Sequence, residues 1–329
     1  PPKMKKTHID KILDHRAVSL RALDIRAIFE VQSVLIDAFG EYLRSQDFTE
    51  MKTSKIVGTG TEGGANVFEL DYFGQPVFLA QSPQFYKQIM VGTGLERVFE
   101  IGPVYRAEKH ETARHLSEYV SLDYEMGFIE SEQDVINMQI GLVRHMMDAV
   151  RERCAPQIER LGATVPVVGE TIPQLTFQEA HKIASADGHR LPPGDLDPEG
   201  ERRVCAWAKE KHDSEFCYVV GYPLKKRPMY TYFYEDEPEV SRSFDLLFRG
   251  IEITTGSQRI HDYDLLVEKM KERGLTPELY DYYLAAFRHG MPPHGGLAIG
   301  LERLTKQILD IPNVKLATLF PRDRHRICP

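Results

Sequence analysis

The stretch that most restricts the fold is residues 216–255, where β-rich runs at 216–220, 229–234, 243–248 and 251–255 follow one another closely. The turns between them are too brief for crossover helices, so the runs are predicted to pair antiparallel. Helical patterns surround them. Ile28, Val31, Leu35, Ala38, Phe39 and Tyr42 recur at amphipathic-helix spacing over 27–44, and Val135, Met138, Leu142, Met146 and Ala149 do so behind an N-cap candidate, Ser131. Thr176 with Glu179 is a capping-box signature for a helix ending near Gly188, and helices are predicted at 263–272 and, with Pro277 near the first turn, at 278–288. A strand is expected at 48–57, irregular chain through the glycines of 58–65, and a hairpin of 67–72 with 76–80 about Gly74. The sum is one α+β domain, an antiparallel β-sheet flanked by helices. Residues 151–211 are rich in Pro and Gly outside the capped helix and read as packing without chemistry.

Composition excludes some functional classes. With 27% charged and 42% hydrophobic residues, 16 Phe and 15 Tyr, the chain of 329 residues has the makeup of a folded globular protein. No apolar run approaches membrane-spanning length and residues 1–6 lack a signal-peptide core, so a cytoplasmic protein is expected. Cys154, Cys205, Cys217 and Cys328 are far apart and without metal-ligand spacing, so reduced thiols are expected, and neither zinc nor disulfides. A net charge of -8 argues against broad attraction to nucleic acid, so an RNA partner would be held by local patches.

Four segments carry chemistry. Arg106 and Glu108, in the run 104–108, are predicted to share one face of a strand ahead of a polar loop with Lys109, His110, Arg114 and His115. They fit either a cross-strand ion pair or a phosphate clamp built on the guanidinium fork. Asp245 and Glu252 fall on adjacent predicted strands and fit either solvent-facing acids or a Mg²⁺ pair that shares the ion with phosphate oxygens. The third segment is 255–261, with Arg259. In the fourth, 294–303, glycines precede a helical run with Arg303 in its first turns, which suits either close helix packing or the approach of backbone to a nucleotide.

Taken in order, these segments resemble the class II aminoacyl-tRNA synthetases, and within them the archaeal and eukaryotic type of aspartyl-tRNA synthetase, over residues 14–329. The class's motif 2 is matched by YRAE at 105–108 with its loop, and motif 3 by GLER at 300–303 followed by LFPRD at 319–323. Stretches particular to the aspartyl branch are matched by GTEGG at 60–64, QSPQFYKQ at 81–88, RHLSE at 114–118 and GSQRIH at 256–261. The resemblance implies an ATP-dependent ligase that makes aspartyl-adenylate from L-aspartate and passes it to the 3′ end of tRNA, with ATP as substrate and Mg²⁺ as cofactor. It implies that Arg106 holds the α-phosphate, that Arg114, His115 and Arg303 reach the outer phosphates, and that Arg106 and Arg303 are the catalytic residues. Tyr119 would stack on adenine opposite Arg303, Glu108 would meet the base edge, and Asp245 and Glu252 would hold the metal. For the amino acid, Lys87 and Arg259 would grip the side-chain carboxylate, with Asp123 positioning Lys87, Ser82 and Gln84 lining the pocket and Glu62 facing the ammonium group. Two cations suit a carboxylate better than a carboxamide, which favours aspartate over asparagine.

The family joins an N-terminal anticodon-binding β-barrel to its catalytic domain near where this sequence begins. Residues 1–26 are therefore expected to be a hinge or linker and 27–329 the catalytic domain, without the barrel. The start at Pro1 favours a trimmed chain over a free-standing paralogue. A homodimer charging tRNA-Asp is implied, with tRNA-Asn left open, and the alternative is a tRNA-independent amide ligase resembling asparagine synthetases. Ser54 stands where the family's motif 1 has proline, Ala298 where glycine is common, and 314–316 reads VKL in place of IRE. No large insertion separates motifs 2 and 3, unlike the common bacterial form.

Overall fold

The computed structural model describes residues 7–60, 67–108 and 112–328. Helices α1 (Ile9–Asp14), α2 (Arg16–Ser19) and α3 (Leu23–Ser45) open the chain. Short strands β1 (Thr49–Glu50) and β2 (Ile56–Val57), the hairpin β3 (Glu69–Tyr72) and β4 (Gln75–Leu79), and helix α4 (Gln84–Met90) follow. Long strands β5 (Arg97–Tyr105) and β6 (Glu118–Gly127) lead to α5 (Glu132–Arg153), α6 (Ala155–Leu161), β7 (Gln174–Thr176), α7 (Phe177–Ala184) and α8 (Pro198–His212). Then come β8 (Phe216–Val220), β9 (Ser243–Phe248), β10 (Ile251–Gln258), α9 (Tyr263–Glu272), α10 (Asp281–Arg288), β11 (His294–Gly300) and α11 (Leu301–Ile308).

Among the described residues, the main sheet has eight strands in the order β1-β5-β6-β11-β10-β9-β8-β7, and β2, β4 and β3 form a small second sheet. The central pairs are antiparallel, while the two outermost pairs, β1 with β5 and β7 with β8, are parallel. Each parallel pair is joined by a segment long enough to carry helices, which removes the constraint that short turns impose elsewhere.

One face of the sheet is apolar. Leu122 and Tyr124 of β6, Leu297 and Ile299 of β11 and Phe244 and Leu246 of β9 are buried in a core shared with α3 and α5. Helix α3 buries Ile28, Val31, Leu35, Ala38 and Phe39 at the three-to-four spacing that a core-facing stripe requires. Helix α5 starts where Ser131 caps it and Asp134 bonds back to the Ser131 N–H, closing a capping box. Thr176 and Glu179 close the second one, at the start of α7.

Several expectations change. The predicted strand at 48–57 is only the two short pairings β1 and β2, separated by irregular chain. The run 229–234 is not a strand; it touches its neighbours through isolated bridges from Thr231 to Arg259 and from Phe233 to Ser241. Its Pro228 lacks the N–H that a continuous ladder needs just ahead of it. Between residues 7 and 26 the chain forms α1, α2 and the first turn of α3. Arg16, 1% exposed, donates to the carbonyls of Leu319 and Thr318 at 2.7 and 2.6 Å, pinning these helices to the C-terminal segment. No helix among the described residues is long and apolar enough to cross a membrane.

Candidate active site

The other face of the same sheet is polar, and strand alternation puts its side chains in register. Along β6 the residues on this face are Tyr119, Ser121, Asp123 and Glu125. Pairing aligns Asp245, Thr255, Ala298 and Asp123 in one row, and Ser243, Ser257, Gly296 and Glu125 in the next. The register shifts between Glu252 and Thr254, so Glu252 joins the polar face. The middle strand, β11, presents only Gly296, Ala298 and Gly300 to this face beyond His294. Small residues in the centre with charged ones on the flanking strands make a trough. Gly296 is required there: a Cβ would run into the Tyr124 carbonyl oxygen and the Glu125 carboxylate.

Two connected cavities occupy the trough. The larger, about 780 Å³, is lined by Ser82, Gln84, Asp123, Arg227, Tyr230 and Arg259 among others. The smaller, about 130 Å³, is lined by Arg106, Glu108, Arg114, His115, Tyr119, Glu252, Glu302 and Arg303 among others. Arg106, Thr255 and Ala298 line both, so the cavities meet over the central strands.

At the floor of the larger cavity lies a buried charge cluster. Lys87, wholly buried on α4, donates to Asp123 Oδ1 at 2.8 Å and to the Leu297 carbonyl at 3.1 Å, and lies 3.5 Å from Glu125 Oε2. Arg259, just beyond β10, donates through Nε to Glu125 Oε1 at 2.9 Å, through Nη1 to Ser257 Oγ at 2.6 Å, and through Nη2 to the Gly296 carbonyl at 2.9 Å and Gln84 Oε1 at 3.2 Å. Burial pushes the Glu125 carboxyl up, but Arg259 and Lys87 outweigh it and hold the group below its ordinary value. Lys87 and Arg259 therefore converge, and the residue on which they converge is Glu125. Arg259 lines the cavity; Lys87 lies one layer beneath, behind Asp123 and Leu297. Sequence reasoning did not single out Glu125; its alternation with Asp123 along one strand was the signal that could have found it.

His294 supports the same cluster. Its Nδ1 lies 2.8 Å from the Pro292 carbonyl and its Nε2 2.8 Å from the Gln88 side-chain amide, whose oxygen accepts from the Tyr283 hydroxyl at 3.0 Å. Since a carbonyl only accepts, the ring carries its proton on Nδ1 and accepts from Gln88. Burial holds its pKa down to about 4.

The smaller cavity is rich in arginine. Arg106 and Glu108 both line it, yet not from a strand: β5 ends at Tyr105 and both belong to the loop that follows. The Arg106 guanidinium lies 5.9 Å from the Tyr119 ring centroid. Arg303, in the first turn of α11, donates to the Glu252 carbonyl at 3.2 Å and lies 3.5 Å from its carboxylate. Arg114 is held by Glu201 of α8 through two hydrogen bonds of 3.0 and 2.8 Å, so the segment that read as mere packing supplies a charged partner to the site. The glycines at 295 and 296, expected to lead into a helix, lie within β11; only Leu301 onward is helical.

Asp245 accepts from Arg227 Nη2 at 2.9 Å through one oxygen, while its buried Oδ1 makes no well-formed hydrogen bond. Partial burial on the cavity wall and the nearby Asp245 carboxylate push Glu252 up to about 7. Two carboxylates close enough to perturb one another, with Glu252 lining the smaller cavity, fit a divalent cation. No group of three or more metal-ligating side chains occurs among the described residues, so such an ion would take its other ligands from substrate and water. Glu62 lies outside the described residues.

A polar-faced antiparallel sheet carrying this arginine and carboxylate arrangement defines a class II synthetase catalytic fold. The family model for class II tRNA synthetases (D, K and N) matches residues 8–324, and the chain belongs to that family. Among its relatives, the aspartate–tRNA(Asp/Asn) ligase of Deinococcus radiodurans is 50% identical over 100% of this chain and 77% of that protein. The aspartate–tRNA(Asp) ligase of Thermococcus kodakarensis is 44% identical over 98% of this chain and 74% of its own. Among solved structures, the asparaginyl-tRNA synthetase of Pyrococcus horikoshii with asparaginyl-adenylate superposes with a TM-score of 0.94 at 31% identity, covering 100% of this chain and 76% of that one. The aspartyl-tRNA synthetase of Entamoeba histolytica does so with a TM-score of 0.86 at 34% identity, covering 98% and 64%.

Proposed function

We propose that this chain activates L-aspartate with ATP and transfers it to the 3′ end of tRNA-Asp. Likeness of fold extends to both aspartyl and asparaginyl enzymes, so the choice of amino acid rests on one observation: Lys87 and Arg259 meet around the floor of the larger cavity. A substrate carboxylate there would be drawn by the positive charge of Arg259, with the Lys87 ammonium behind it, and a carboxamide would gain far less from either. The nucleotide is assigned to the smaller cavity, where Arg106 faces the α-phosphate, Arg114, His115 and Arg303 face the outer phosphates, Tyr119 and Glu108 take the base, and Ser82 and Gln84 flank the amino acid.

The two cavities meet at Arg106, so the substrate α-carboxylate would lie against the α-phosphate. Its oxygen bonds to phosphorus, the bond to the β-phosphate oxygen breaks, and pyrophosphate leaves. Arg106 and Arg303 neutralise the charge that builds on the phosphoryl oxygens, and holding the reactants in line does most of the rest. Mg²⁺, held by Asp245 and Glu252, would supply further charge neutralisation to the phosphates. A homodimer built from the motif 1 segment, α3 and β1, is part of the same reading, and so is assignment of residues 27–329 to the catalytic unit.

Aspartate-dependent exchange of pyrophosphate into ATP tests the reading, followed by charging of tRNA-Asp and of tRNA-Asn. Exchange with aspartate but not asparagine, and charging of tRNA-Asp, are expected. Exchange driven by asparagine, or release of asparagine from aspartate, ATP and ammonium without tRNA, would overturn it.

A further inference from the structure

We propose that Glu201 is a positioning residue for nucleotide binding, which it serves by fixing the Arg114 guanidinium on the cavity wall. This rests on the reading above of the smaller cavity as the ATP site. Glu201 belongs to the first turn of α8, in a part of the chain where the sequence shows no chemistry, and is 5% exposed. Its acidic neighbour Glu199 pairs outward with Arg202 and Arg203, so Glu201 alone of the two turns inward. Gly200 lets α8 pack closely on α7 and the chain that leads into it, since a Cβ there would lie 3.0 Å from Leu191 and 3.2 Å from Ala184.

The inward carboxylate is spent wholly on the site. Its two oxygens take the two Arg114 hydrogen bonds, and one also accepts from the Glu252 N–H at 3.4 Å. One side chain thus ties a phosphate-facing arginine to the strand that carries a metal carboxylate. Arg114 needs that tie. Its own backbone lies in a turn fixed locally by Thr112 Oγ1, which accepts from the Arg114 N–H at 3.3 Å, and that contact leaves the long side chain undetermined. A guanidinium offers five N–H groups, and the fork to Glu201 uses two. Nε–H and the second hydrogen on each terminal nitrogen remain for phosphate oxygens, in a plane set by Glu201. Without it, Arg114 would still carry its charge but would have to be ordered by ATP itself, and binding would bear that cost.

The test is equilibrium binding of Mg²⁺-ATP by calorimetry, in the absence of amino acid, on the full chain. Glu201→Gln is expected to weaken ATP about tenfold, the scale of one charge-assisted interaction, while the KM for aspartate in pyrophosphate exchange stays within about twofold. In an Arg114→Ala background the same substitution is expected to change ATP affinity less than about twofold, because the group through which it acts is gone. Wild-type affinity in Glu201→Gln, or a full effect persisting without Arg114, overturns the proposal. If Glu201→Gln does not fold, Glu201→Asp, which keeps the charge but withdraws it by one methylene, takes its place under the same two criteria. An enzyme that failed to use aspartate would still bind ATP, so failure of the functional reading appears in the exchange assay and not in this one.

Discussion

Replacing Lys87 by methionine tests the charge cluster most directly, because the side chain keeps its length and loses only its ammonium. The group is 0% exposed and bonded to Asp123 and Leu297, with Glu125 at 3.5 Å. Its loss leaves one buried carboxylate without its cation and another with half of its compensation, a situation that costs about 3–5 kcal/mol. At the usual unfolding entropy per residue, a chain of this size should lose about 6 °C in Tm. If the ammonium also serves the substrate, removal of one charged partner should lower kcat/KM for aspartate roughly 10- to 150-fold. Lys87→Met combined with Asp123→Asn separates the two effects: removing both members of the pair should restore at least half of the lost stability, yet leave aspartate activation as poor as in the single variant. Thermal unfolding and pyrophosphate exchange read the two quantities. A single variant whose kcat/KM for aspartate stays within about threefold of wild type, or a double variant that regains it together with stability, would refute the two-cation account.

Gly296→Ala should cost about 3 kcal/mol, since the added methyl meets the Tyr124 carbonyl and the Glu125 carboxylate; exchange should fall with it because Glu125 is pushed off Arg259, and an active variant with unchanged Tm would contradict this. His294, flanked by Glu125, Arg259 and His261, is held neutral with a pKa of about 4 against an ordinary 6.5. As pH falls from about 6.5 towards 4 the unfolded chain takes up a proton that the folded one refuses, so stability should drop by up to about 3 kcal/mol across that window and be unaffected above it. Urea unfolding at pH 7.5 and 5 should show a smaller difference in His294→Gln than in wild type, and equal slopes would count against it. Chelation of Mg²⁺ should abolish exchange reversibly, and Asp245→Asn should shift the Mg²⁺ requirement to higher concentration; exchange that persists in excess chelator would remove the metal from the scheme.

Much of the fold was legible because local rules and tertiary packing agree. The apolar stripes of α3 and α5, the Ser131 N-cap, the Thr176 capping box and the run 263–272 are each set by neighbours a few residues away, and the structure keeps them. Where propensity and context conflict, context wins: the aromatic residues of 229–234 suggest a strand, yet the segment forms isolated bridges and lines the cavity instead. Arg106 and Glu108 share a site for a reason that strand alternation does not supply, since the loop after β5 carries them both there.

By itself, then, the amino-acid sequence determined which groups are available and which face of each element they occupy, because the periods of strand and helix are local properties. Which charges meet was decided only by the tertiary structure. Glu125 lies 38 residues from Lys87 and 134 from Arg259, and Glu201 lies 87 from Arg114. Cross-strand register and the seating of α4 and α8 bring them together, and burial of charge is tolerated only where such partners arrive.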